Sequence, residues 1–108
     1  MALFEHVIML KQSLSSNELS TELKNHIEML SELNGNIVYN ESWGMRNLAY
    51  PIKNNKKAFY EFMNIEIPGE NIKTLNSKLN LNENVIRYLS VKVKEFGETP
   101  TAMLKEKE

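Results

Sequence analysis

Residues 43–60 concentrate the side chains best suited to binding an anion. The segment contains Arg46, Lys53, Lys56 and Lys57 and no Asp or Glu, so its net charge is +4 in a chain whose total is −1. Guanidinium and ammonium groups bind phosphates through charge-assisted hydrogen bonds. We call residues 43–60 the basic segment. Its charge predicts a polyanion as ligand, although the chain as a whole lacks the basic excess usual in nucleic-acid-binding proteins.

The four cations of the basic segment suit different contacts. Arg46 can form bidentate hydrogen bonds with a phosphate or a guanine edge, which Lys cannot. The three lysines, Lys53, Lys56 and Lys57, are flexible point charges that suit an RNA backbone. We expect all four to bind RNA. The competing interpretations are a solvated turn for the lysines and a pairing with Glu41 for Arg46.

Two aromatic residues of the basic segment, Trp43 and Tyr50, allow two interpretations. Aromatic rings stack on unpaired bases in RNA recognition. Alternatively, Trp43 covers the sheet edge and Tyr50 packs the hairpin with Pro51. We favour packing for Trp43 and leave both interpretations open for Tyr50.

The composition excludes several other kinds of chemistry. The chain has 108 residues and no Cys, and its two histidines cannot form a zinc site alone. It has no apolar run of about 18 residues and no signal-peptide pattern at its start. We therefore expect one cytoplasmic domain, residues 1–95, without catalytic residues, metal, cofactor or membrane contact, followed by a flexible tail, residues 96–108.

The elements that must position these residues follow from the periodicity of apolar side chains. Strands are predicted at residues 3–10, 36–52, 58–67 and 84–94, and helices start near residues 15 and 68. The order βαββαβ is the split βαβ pattern. The predicted fold is α+β and ferredoxin-like, with a four-stranded antiparallel sheet and two helices on one face.

The first helix has clear sequence signals at both ends. Ser15 and Glu18 have the spacing of a capping box, and Asn34-Gly35 is a typical stop. Five apolar residues predict its buried face: Leu19, Leu23, Ile27, Leu30 and Leu33. We expect His6 on the first strand and His26 on this helix to be wholly or partly buried, neither with an acid–base companion.

The second strand contains two residues that disturb a regular ladder. Gly44 predicts a bulge or a close backbone approach. Pro51 cannot donate a ladder hydrogen bond, so this strand is expected at the sheet edge. A polar turn, residues 53–57, would then lead into the return strand.

The first strand of this topology is adjacent to the third and the last. Alternation then places apolar side chains of the first and last strands together on the face without helices, where an exposed patch is typical of protein binding. Arg87 is expected to pair with Glu5 or Glu61. Five residues are candidates for binding a partner: Val7, Met9, Arg87, Leu89 and Val91.

Several blocks in this order resemble the bacterial ribosomal protein S6 family over residues 1–95. The most specific is Trp43-Gly44-x-Arg46-x-Leu48-Ala49-Tyr50-Pro51-Ile52; the others are Phe4-Glu5, Lys57-Ala58-Phe59-Tyr60, Asn64-Ile65-Glu66 and residues 81–88. The resemblance implies a structural constituent of the small ribosomal subunit. It also implies binding to the central domain of 16S rRNA as a heterodimer with ribosomal protein S18, a small basic protein. No catalysis, cofactor or small-molecule substrate is implied.

Two departures from the family pattern remove positive charge. Ala2 stands where relatives often have Arg or Lys, and Met45-Arg46 where they often have two basic residues. We therefore expect weaker intrinsic RNA affinity and more reliance on S18.

A ferredoxin-like fold is compatible with two other functions. A ferredoxin-like small-molecule regulatory domain would need a ligand cleft, but no glycine-rich loop is present. An acylphosphatase-type enzyme would need an anion-binding loop with an Arg after the first strand, and residues 11–14 have neither glycine nor Arg.

Overall fold

The computed structural model describes residues 1–97. Its element order, βαββαβ, is the predicted one, with a short 3₁₀ turn before the second helix. Most of the predicted tail, residues 98–108, lies outside the described residues. No helix among residues 1–97 is long and apolar enough to cross a membrane. The elements are β1 Ala2–Lys11, α1 Ser16–Glu32, β2 Asn36–Ile52, β3 Asn55–Ile67, α2 Ile72–Leu81 and β4 Val85–Val93.

The four strands form one sheet in the order β2-β3-β1-β4, with antiparallel pairs throughout. β1 therefore lies between β3 and β4, and β2 lies at an edge, as its Pro51 predicted. Both helices pack on one face of this sheet. We call the opposite face the open face.

The main core lies between the helices and the sheet. Alternate residues of β1 point towards the helices because successive side chains of a strand face opposite sides. Leu10 of β1, Ile65 of β3 and Leu75 of α2 are completely buried there. The other members of this cluster are Phe4, Ile8, Leu14, Leu30, Met63, Ile67, Leu79 and Val85.

The capping box at the start of α1 is present as predicted. The Ser15 hydroxyl accepts a hydrogen bond from the Glu18 N–H, and the Glu18 carboxylate accepts one from the Ser15 N–H. The predicted buried stripe is wrong at Ile27, which is 52 % exposed. His26 is buried beside Leu30 instead. The His26 imidazole faces the His6 ring in the sheet. The buried face of α1 therefore includes His26 and not Ile27.

The end of α1 is a Schellman-type stop. The Gly35 N–H donates to the Leu30 carbonyl over 2.8 Å, and Asn34 takes the left-handed conformation with φ 61°. Gly35 is needed for close packing, since a Cβ there would lie 3.0 Å from the Glu66 carbonyl oxygen. Asn34 thus supplies the left-handed turn, and Gly35 lets β2 approach β3.

The bulge predicted at Gly44 is present in β2. Ser42 is opposite Glu61 and Gly44 is opposite Tyr60, so Trp43 is the extra residue that forms the bulge. Gly44 has φ 80°, which L side chains rarely adopt.

The turn between β2 and β3 is shorter than predicted. Only Lys53 and Asn54 separate the strands, both with positive φ, 48° and 66°, which is the geometry of a two-residue type I′ hairpin. Asn55 already belongs to β3, and its side-chain amide donates to the Lys53 carbonyl over 3.0 Å. Lys56 and Lys57 therefore lie on a strand and not in the turn.

Candidate functional site

The register between β1 and β4 determines which side chains share the open face. Val7 is opposite Leu89, and Met9 is opposite Arg87, so these four residues point the same way. This is the arrangement expected from alternation. Leu89 is 58 % exposed and Val91 is 45 % exposed, so an apolar surface is in contact with solvent.

A groove of about 450 Å³, partly open to solvent, crosses the open face. All four strands contribute to it, which makes it a property of the whole sheet. Such an apolar concavity on a small protein is typical of a protein-binding surface. Its lining consists of Val7, Met9, Trp43, Tyr60, Arg87, Tyr88 and Leu89.

Trp43 lies on the open face and contacts other side chains of the sheet. Its ring stacks on Phe62 with centroids 5.4 Å apart and an interplanar angle of 8°, and on Tyr60 at 6.2 Å. The indole Nε1–H donates to Glu41 Oε1 over 2.8 Å. The bulge turns the side chain over β3, so Trp43 covers the sheet surface and not its edge. A base-stacking role stays a prediction.

Glu41 accepts a second hydrogen bond on its other oxygen. The Tyr39 hydroxyl donates to Glu41 Oε2 over 2.6 Å. This bond, together with burial and the nearby carboxylate, raises the pKa of Tyr39 to about 12 because the phenol must give up a donated proton to ionise. Only 4 % of Glu41 is exposed, a burial that the residue pattern of β2 does not predict.

The end of β2 extends across the open face. Leu48 and Ile52 pack against a second, smaller core cluster, which contains Met9. The Tyr50 hydroxyl accepts a hydrogen bond from Arg87 Nη1 over 3.4 Å, which joins the two edge strands of the sheet. Tyr50 is nevertheless 59 % exposed, so most of its ring faces solvent.

The pairing predicted for Arg87 is wrong. Glu5 is opposite Val91, four residues beyond Arg87 along β4. Glu61 points to the other face, where it is buried and accepts a hydrogen bond from the Asn40 amide over 3.0 Å. Burial raises the pKa of Glu61, while bonds from Ser42 and Asn40 oppose this shift.

The three lysines of the basic segment lie exposed on the β2–β3 hairpin. The backbone N–H of Lys57 donates to Gln12 Oε1 over 2.9 Å, and the Gln12 N–H donates to Asn55 Oδ1 over 3.1 Å. These bonds attach the hairpin to the loop after β1. Arg46 is half-buried opposite Ala58, on the same side as the groove. Arg46 therefore shares the face of the groove, whereas Lys56 and Lys57 line a separate hollow beside Gln12.

His6 and His26 form a buried pair on the helix side of the sheet. Their Nε2 atoms are 3.2 Å apart, and the rings stack with centroids at 5.1 Å and an angle of 7°. His6 Nδ1 also bonds the Ser90 hydroxyl over 2.7 Å. The predicted burial is confirmed, but the expectation that neither has a companion is wrong. Residues 1–97 contain no group of three or more His, Cys, Asp or Glu side chains that could hold a metal.

Burial lowers the pKa of both histidines. The pKa of His6 falls to about 3, first through desolvation and then through the positive charge that His26 would carry. The pKa of His26 falls to about 4 through desolvation, partly opposed by the Glu22 carboxylate. Both rings are therefore neutral near pH 7, with one N–H shared between the two Nε2 atoms. The sequence signal was one His on β1 and one on α1, but nothing in it specified the contact.

Comparison with known proteins gives one consistent result. The family model described as "Ribosomal protein S6" matches residues 3–92. The chain is 37 % identical over 105 residues to small ribosomal subunit protein bS6 of Rickettsia felis, covering 97 % of this chain and 87 % of that protein. It is also 37 % identical to the protein of the same name from Zymomonas mobilis, covering 97 % and 85 % of the two chains.

The fold likewise matches a solved structure. The crystal structure of 30S ribosomal protein S6 from Thermotoga maritima superposes with a TM-score of 0.80 at 20 % identity, over 85 % of this chain and 87 % of that one. At this identity the match concerns the fold alone.

Proposed function

Since the chain belongs to the ribosomal protein S6 family, we propose that it binds the central domain of 16S rRNA together with ribosomal protein S18 during small-subunit assembly. As a member of this family, the protein is a structural, ribosome-associated component of the small subunit and not an enzyme. Three points are proposed here: the RNA domain that is bound, the partner protein, and the residues that contact each of them.

One observation supports the proposal most strongly: an apolar groove and a hairpin with exposed cations belong to the same sheet. The groove offers the exposed side chain of Leu89 and the aromatic ring of Trp43 to a protein. The hairpin offers the exposed lysines to phosphates. Two separate surfaces of different chemistry on one sheet suit simultaneous contact with a protein and an RNA.

Charge supports a basic protein partner. With +4 in the basic segment and −1 overall, the rest of the chain carries −5. Opposite charges steer association and exclude wrong partners. In the family that this chain resembles, the partner S18 is small and basic. Its charge would complement the acidic remainder of this chain.

The RNA contact can be tested by removing the hairpin lysines. We expect a Lys53/Lys56/Lys57→Ala variant to bind the 16S central domain more weakly in a filter-binding titration with S18 present. Each phosphate contact adds about 0.7–0.9 to the slope of log affinity against log salt, so the slope should fall by up to about 3. The control removes three exposed lysines of the helix layer: Lys24, Lys73 and Lys78. An equal loss in both variants would refute a specific role of the hairpin.

The protein contact can be tested with matched leucines. Leu89→Glu places a carboxylate in the groove, and Leu81→Glu places one on the surface at the end of α2, where the leucine is 84 % exposed. We expect Leu89→Glu to reduce S18 affinity about tenfold or more by calorimetry, since a buried charge without a partner is strongly unfavourable. Leu81→Glu should bind normally. Normal binding by Leu89→Glu would exclude the groove as the S18 surface.

A further inference from the structure

A buried carboxylate lies beside the groove. Glu41 is opposite Phe62, on the open face of an edge strand, and only 4 % of it is exposed. Burial of a carboxylate is unfavourable unless hydrogen bonds to its oxygens replace those from water. The groups that donate hydrogen bonds to Glu41 therefore indicate its role.

Both oxygens of Glu41 accept hydrogen bonds from aromatic side chains of the same strand. Oε1 accepts from the Trp43 indole N–H over 2.8 Å, and Oε2 accepts from the Tyr39 hydroxyl over 2.6 Å. The three residues alternate along β2. Hydrogen bonds to a charged acceptor are stronger than neutral ones, so the carboxylate constrains both rings.

The position of Trp43 at the bulge makes the orientation of its side chain important. The register between β2 and β3 shifts there, and the indole lies over β3. Its indole could rotate to place the N–H in water, which would remove it from Phe62 and Tyr60. Since Trp43 lines the groove, such a rotation would change the shape of the groove.

We propose that Glu41 is a positioning residue for protein binding: its carboxylate fixes the Trp43 indole against Phe62 and Tyr60 and so preserves the groove shape that S18 recognises. This inference rests on the proposed function for the identity of the partner. The positioning itself depends only on contacts within the chain. The two parts can therefore be tested separately.

Trp43 is the only tryptophan in the chain, so its fluorescence reports the positioning directly. We expect Glu41→Leu, which removes both acceptors, to shift the emission maximum and at least double quenching by acrylamide. Glu41→Gln keeps one acceptor oxygen and should retain most of the wild-type signal. In the wild-type protein the indole N–H should exchange slowly with solvent by NMR. Rapid exchange, or unchanged emission in Glu41→Leu, would overturn the positioning role, and the exchange measurement needs no variant to fold.

The consequence for S18 affinity needs a double-mutant cycle, because a general loss of stability would also weaken binding. We expect Glu41→Leu to reduce S18 affinity about tenfold in the wild-type background and to have little effect in a Trp43→Phe background, where no indole N–H exists. Equal losses in both backgrounds would show that Glu41 acts through overall stability and would overturn the inference. If the wild-type chain failed to bind S18 at all, the partner assignment would fail with the proposed function, and the fluorescence result would still decide the positioning.

Discussion

The His6–His26 pair predicts that mild acid destabilises the folded protein. Both pKa values, about 3 and about 4, lie below the ordinary value of 6.5. Below pH 6.5 the two histidines therefore bind protons in the unfolded chain but stay neutral in the folded chain. Stability from the pair is complete above pH 6.5 and is lost progressively as the pH falls towards the folded pKa values.

The size of the effect follows from proton linkage. Each histidine reduces the free energy of unfolding by up to about 1.4 kcal/mol per pH unit in this window. Between pH 7 and pH 5 the pair should lose about 4 kcal/mol, a large part of the roughly 5–15 kcal/mol typical of a small domain. Glu61 acts in the opposite direction, because its raised pKa lets the folded state bind a proton more readily than the unfolded state.

The assay is urea denaturation followed by circular dichroism at pH 7, 6 and 5. We expect the midpoint to fall steadily for the wild-type protein and to change much less for a His6→Gln/His26→Gln variant. Should that variant not fold, the histidine ring signals of the wild-type protein can be titrated by NMR. They should stay constant from pH 7 to pH 5. Titration of either ring near pH 6.5 would refute the reasoning.

Two further predictions concern local structure, and thermal or urea unfolding checks both. Ser15→Ala should cost about 1 kcal/mol because it removes the N-cap acceptor, whereas Ser16→Ala, one residue later, should have a much smaller effect; equal losses would contradict the capping role. Gly44→Ala should cost about 1–2 kcal/mol because of its positive φ. Gly69→Ala should be nearly neutral, since its Cβ would meet nothing closer than the Ala2 Cβ at 3.9 Å; a neutral Gly44→Ala would contradict the strained bulge.

The predictions that were confirmed rest on interactions between near neighbours in the sequence. The capping box needs only residues 15–18, and the edge position of β2 follows from the missing N–H of Pro51. The family match confirmed the resemblance carried by the Trp43–Ile52 block. The order of elements follows because each helix and strand has its own periodicity and its own start and stop residues.

The predictions that were wrong needed a register or a rotation that periodicity does not specify. Ile27 and His26 are adjacent on α1, and the face that is buried depended on a partner in the sheet. The Glu5–Arg87 pairing failed by four residues of register, although alternation placed both residues on the correct face. A register error of an even number of residues leaves each side chain on its predicted face, because the faces repeat every two residues along a strand.

The sequence by itself determined the element order, the edge strand, the open face of the sheet and the charge of the basic segment. These features depend on residue type and on short spacings. Only the tertiary structure decided the side-chain contacts: His6 with His26, Trp43 with Glu41 and Phe62. It also decided that Arg46 shares the face of the groove, whereas Lys56 and Lys57 line a separate hollow. The physical reason is that such contacts depend on where bulges fall and how strands align, and a shift of one residue there reverses the face of every side chain that follows.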